Sequence, residues 1–207
     1  MGDRVVLRSQ IEAEQGDFVA LARELTPEQW ASASCCDAWT VHEVVLHIAV
    51  HTHRTLRETI RPDNARMAVL RDQPTPGLVE LLASPVVGRV AWEMRLQLAE
   101  LMIHQQDVRR ALELERVIPA DRLTVVLCSL LTRWVGSLVG VGARKHAGGF
   151  RFVATDLDWS TGSGPEVRGQ GEAIMMVLAG RDVRVDQLAG DGVAALTTHG
   201  AASFSKP

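Results

Sequence analysis

The feature that most constrains how this chain can fold is a single change of hydrophobic period. Up to about residue 143 apolar residues recur at helical spacing in segments punctuated by Pro and Gly. After Ala147-Gly148-Gly149 they alternate as in strands. A chain patterned this way packs several helices first and a short sheet afterwards. The spacing therefore predicts an α+β protein, mainly α, with a run of packed helices over residues 1–146 and a small α+β domain over 147–207. A total of 207 residues accommodates one main and one small domain.

Within the first part, Val5, Leu7, Ile11, Phe18, Leu21 and Leu25 mark a helix from about Arg4 to Leu25, ended by Thr26-Pro27. A polar and small-residue connection is expected from Glu28 to Ala38. Thr40-Val41-His42-Glu43 is a capping box, with Trp39 at N′ and Val44 at N4 as a hydrophobic staple, so a second helix should start at Val41. Arg61-Pro62 stops it near Ile60. Asp63 to Gln73 is polar, Pro74-Thr75-Pro76-Gly77 breaks the chain, and helix resumes from Leu78, with a bend or restart at Ser84-Pro85. Val90 to about Glu115 continues as helix. Arg122 to about Ala143 is apolar over most of its circumference and is expected to be the central packing element.

Beyond the change of period, Phe150 to Thr155 reads as a strand, Ser160 to Pro165 as a turn and Glu166 to Gly169 as the partner strand. Gly171 to Arg181 is a short helix with a Gly stop, Val183 to Thr198 adds a strand or turn, and Ala201 to Pro207 frays. Gly162 and Gly164 are followed by neither a helix at P-loop spacing nor Gly-Lys-Ser/Thr, so they suit a hairpin turn rather than a phosphate cradle.

Chemistry concentrates in Ala99-Glu100-Leu101-Met102-Ile103-His104-Gln105-Gln106-Asp107-Val108-Arg109-Arg110. On a helix, Glu100, His104 and Asp107 fall within about 60° of one another. A Glu and a His four apart can hold one divalent metal, and Asp107 can accept the second N–H of a ligating imidazole. Spacing alone also suits a solvated polar stripe, so a third ligand decides the matter. His42, His47, His51 and His53 lie on the second helix. His42-Glu43 with His47 misses the zinc-protease spacing by one residue. His47 and His51 share a helical face, and periodicity does not choose between them. Arg168 and Arg181 could bind a substrate carboxylate through paired N–H donors.

Composition narrows the partners. Net charge is −3 and the basic residues are scattered, which argues against nucleic acid. No uninterrupted apolar run approaches the length of a membrane span, and charges break the N-terminal apolar residues as no secretory signal would allow. A cytoplasmic protein without a membrane partner is expected, as a monomer or a homodimer. Cys35, Cys36 and Cys128 are an odd count without CxxC spacing and read as reduced structural thiols. The absence of Tyr excludes a tyrosine acid.

Several stretches, in order, resemble the mycothiol-dependent maleylpyruvate isomerase family. They are Trp39-Thr40-Val41-His42-Glu43-Val44-Val45-Leu46-His47, Ala99-Glu100 through His104 to Arg110, and Thr155-Asp156-Leu157-Asp158-Trp159-Ser160, continuing into Gly164-Pro165-Glu166-Val167-Arg168-Gly169 and Leu178-Ala179-Gly180-Arg181. The resemblance implies a DinB-like up-and-down helical bundle followed by a small α+β C-terminal domain. It also implies metal ligands at His47, Glu100 and His104, selecting His47 over His51. The expected ion is Zn2+, with Ni2+ the alternative, and mycothiol is the expected co-substrate. Such a His2Glu site leaves one position open, where the thiol would lose its proton and attack a small electrophilic substrate. Asp107, Arg168 and Arg181 are the candidate catalytic residues. The implied function is a thiol-using isomerase or S-transferase. The competing expectations are a non-catalytic metal- or thiol-binding regulatory protein and a metal-dependent hydrolase.

Overall fold

The computed structural model describes residues 2–36, 39–51, 75–85, 90–132, 148–181 and 185–196. The chain divides into two compact units, Met1–Arg116 and Val117–Pro207. The fold class is α+β, mainly α, as the patterning predicts.

In the first unit, α1 (Gly2–Glu24), α3 (Val41–His51), α4 (Thr75–Ala83) and α5 (Ala91–Ala111) pack together. α1 and α3 each contact both α4 and α5. The Thr40/Glu43 capping box forms as expected. Thr40 N–H donates to Glu43 Oε2 at 2.9 Å and Glu43 N–H to Thr40 Oγ1 at 3.3 Å. The connection expected from Glu28 to Ala38 instead contains a short helix, α2 (Pro27–Ala31), because Thr26 and Gln29 make a second capping box around Pro27. The buried amide of Gln15 on α1 donates to Leu82 O at 2.6 Å and Ser84 O at 2.7 Å, supplying donors to carbonyls that α4 cannot satisfy at its own end.

In the first unit the central packing role falls to α5, while the helix expected from Arg122 belongs to the second unit and is described only as far as residue 132. Every residue from Leu96 to Val108 is buried, so the helix is covered all round. It ends at Ala111, short of the expected Glu115, because Glu113 takes a left-handed φ of 56° and Leu114 N–H bonds back to Arg109 O at 2.8 Å.

In the second unit, α6 (Ala120–Leu130) packs on α7 (Gly171–Leu178), which also lies against the sheet. The strands β1 (Arg151–Ala154), β2 (Ser160–Gly162), β3 (Glu166–Gly169) and β4 (Leu188–Ala189) lie in the order β2-β1-β3-β4. Ser160 to Gly162, expected as a turn, is thus itself a strand antiparallel to β1, and β3 pairs with β1 in parallel, Phe152 opposite Val167. Gly162 and Gly164 make this possible, with φ of 78° and 121°. A Cβ would overlap Phe150 O at the first and Gly149 O at the second. Asp156 Oδ1 accepts the N–H of Gly171 at 2.7 Å and so fastens the start of α7 to the loop after β1.

The expectations for 52–74, for the helix beyond residue 132, and for the frayed end lie outside the described residues. So does the side chain of His51. Among the described residues no helix is long and apolar enough to cross a membrane.

Candidate metal centre

The buried polar residues of α5 set the problem. Glu100 is 6% exposed, His104 7% and Asp107 0%, and such groups are stable inside a protein only when paired, protonated or ligated. Helical spacing puts all three on one stripe. The facing element is α3, whose capping box fixes its start at Val41 and so fixes where His47 projects.

His47 Nε2 lies 3.4 Å from Glu100 Oε2, and His104 Nε2 lies 3.6 Å from the same oxygen. The two imidazoles, with ring centroids 5.0 Å apart and planes inclined by 66°, therefore converge on one carboxylate oxygen. One ligand atom from each of His47, Glu100 and His104 lies within 4.8 Å of the others. His47 is the more exposed side of the trio, its side chain 27% accessible.

Asp107 Oδ2 lies 2.9 Å from His104 Nδ1, yet that nitrogen is buried without a well-formed hydrogen bond. The distance suits a bond, but the ring N–H is poorly aligned with the oxygen. Burial is the largest single influence on His104 and lowers its pKa, but hydrogen bonding to Asp107 and Glu100 and the charge of both together outweigh it and raise the group to about 9. An imidazole that prefers a positive charge between two buried carboxylates sits where a divalent cation would also be favoured. Two nitrogens and one carboxylate form a donor set suited to zinc and related ions, so the residues present fit such a group.

Two neighbours were not signalled as part of this site. Trp39 places its ring centroid 4.9 Å from that of His47 and 6.1 Å from that of His104. Its position at N′ of α3 was legible, but not its contact with both imidazoles. Cys36, read as structural, brings its sulfur within 4.8 Å of ligand atoms of His104 and Asp107. Nothing in the spacing of residues 36 and 104 could have indicated that. His42 packs edge-on against Trp30, ring centroids 6.0 Å apart.

Arg168 and Arg181 belong to the second unit, where each is engaged locally. Arg168 holds Glu166 Oε1 through Nε and Nη2, both at 2.9 Å, and is half exposed on β3. Arg181 donates from Nη1 to Ala179 O at 3.0 Å after the end of α7.

Residues 11–84 match the family model described as mycothiol maleylpyruvate isomerase N-terminal domain. That span includes His47 and stops before Glu100 and His104. A crystal structure of a histidine-to-alanine variant of the mycothiol-dependent maleylpyruvate isomerase shares the fold, with a TM-score of 0.58 and 14% identity, over 89% of this chain and 91% of that one. No curated protein matches the chain.

Proposed function

We propose, from the match of residues 11–84 to the mycothiol maleylpyruvate isomerase N-terminal domain model, that the chain is a member of that family and acts as a metal- and thiol-dependent isomerase or S-transferase. The observation that carries the reading is the convergence of His47 Nε2 and His104 Nε2 on Glu100 Oε2. His47, Glu100 and His104 would hold a divalent ion, Zn2+ by donor chemistry with Ni2+ the alternative. When bound, that ion supplies Lewis acidity that lowers the pKa of a neighbouring thiol such as that of mycothiol.

The protein's own groups then have separable tasks. Glu100 and Asp107 hold His104 in place by charge, from Nε2 and Nδ1 respectively. Trp39 packs against both imidazoles and restrains their orientation. The accessible side of His47 is where a small thiol and a small electrophile would enter. Arg168 and Arg181 are proposed to bind an anionic group of thiol or substrate, which requires each to exchange its present partner.

Elemental analysis combined with thiol calorimetry tests the reading. Wild type is expected to bind one divalent ion per chain and to bind mycothiol only when loaded, and His104→Ala to lose most of the ion. Full occupancy in that variant would refute the ligand assignment. Thiol binding without turnover of any electrophile in a panel that includes maleylpyruvate would place the protein among binding rather than catalytic relatives.

A further inference from the structure

Cys36, His104 and Asp107 form a second cluster of potential ligands, with one atom of each within 4.8 Å of the others. His104 and Asp107 are buried and Cys36 is half-buried. The main chain holds this arrangement. Cys35 N–H donates to Asp107 O at 3.1 Å, which ties the loop to α5, and Trp39 N–H donates to Cys36 O at 3.0 Å. Ser34 closes the loop from inside, its hydroxyl accepting from Cys36 N–H at 3.0 Å and donating toward Trp39 O at 2.9 Å. The sulfur is therefore delivered to α5 by backbone contacts rather than by a flexible tail.

The second observation is the buried His104 Nδ1, close to Asp107 but without a well-directed hydrogen bond. A neutral imidazole carries one lone pair, at Nε2 or at Nδ1, and a well-aligned carboxylate partner decides which. Because the Asp107 oxygen lies off the N–H direction, that decision is not locked. Once the ring has given up its extra proton, either nitrogen can present its lone pair.

We propose that Cys36, His104 and Asp107 are a second cation seat, selective for thiophilic ions, that competes for His104 with the seat formed by His47 and Glu100. Thiolate, imidazole and carboxylate together favour Zn2+ and, more strongly, softer Cd2+. On binding, the Cys36 S–H bond and the His104 Nδ1–H bond break, both protons pass to solvent, and sulfur–metal and nitrogen–metal bonds form with no change of oxidation state. An ion using Nδ1 leaves the ring proton on Nε2, facing Glu100, so the first seat loses a ligand. The second seat stands without the proposed function, and only the competition rests on that reading.

Titration of metal-free protein with Cd2+, followed by the thiolate-to-cadmium absorption band in the ultraviolet, tests the proposal. Wild type, His47→Ala and Cys35→Ser are expected to develop the band, and Cys36→Ser to lose it. A band that persists in Cys36→Ser, or is missing from wild type or His47→Ala, overturns the second seat. A readout on unmutated protein guards against misfolded variants. Cd2+ is expected to slow alkylation of Cys36, mapped by mass spectrometry, by about tenfold, because a coordinated thiolate is no longer a free nucleophile. Unslowed alkylation overturns the proposal. Zn2+ binding by Cys36→Ser reports on the first seat alone, so the two assignments fail separately.

Discussion

The Trp39 indole stacks on the His104 imidazole, ring centroids 6.1 Å apart and planes inclined by only 22°. The same indole lies closer still to His47, at 4.9 Å. One side chain thus braces two proposed ligands that arise on different helices. Ring pairs of this kind contribute about 1 kcal/mol beyond the area they bury. Trp39→Ala is expected to weaken divalent-ion binding roughly fivefold, by that same amount. Trp39→Phe should recover most of the loss, and calorimetric titration of the metal-free proteins distinguishes the two.

The raised pKa of His104 gives metal uptake a definite pH dependence. Burial opposes the charge, but Asp107 and Glu100 prevail, so the metal-free protein carries a proton on His104 up to about pH 9. An ion must displace that proton. Affinity should rise about tenfold per pH unit below the raised value and level above it. The folding linkage has the opposite sign. A raised pKa stabilises the metal-free fold fully below the unfolded value of about 6.5, and this contribution is lost as pH rises through about 9. Melting curves in chelator should therefore fall over that window, and the fall attributable to this group should vanish in His104→Gln.

Glu14 and Arg116 form an ion pair of 2.6 Å inside the first unit, with side chains 0% and 9% exposed. Arg116 Nε and Nη1 are buried without a hydrogen-bond partner, and Nη2 is held by Glu14. Removing one member of such a pair typically costs about 3 kcal/mol, whereas replacing both by apolar residues costs little. Glu14→Gln should lower stability toward urea by about that amount, and Glu14→Leu combined with Arg116→Met should recover most of it.

How much of this was readable in advance divides along local and non-local lines. The capping box at Thr40 and Glu43 depends on residues three apart, and it appears as written. The stripe of Glu100, His104 and Asp107 follows from helical geometry alone. The parallel pairing of β1 with β3 could not be read that way, because two glycines with positive φ redirect a chain whose local pattern suits a simple hairpin. Cys36 is the clearest case. Its approach to His104 depends on a main-chain bond from the residue before it to Asp107, and no periodicity encodes a contact made by the backbone of a loop.

Gln15 carries a different lesson about near-identical side chains. Its amide nitrogen directs both protons at carbonyl oxygens closing α4. Glutamate has almost the same shape, but its ionised head would set lone pairs against lone pairs at both contacts. Conversion of this one amide to an acid, by mutation or by slow deamidation as the protein ages, would turn a clasp between two helices into a wedge.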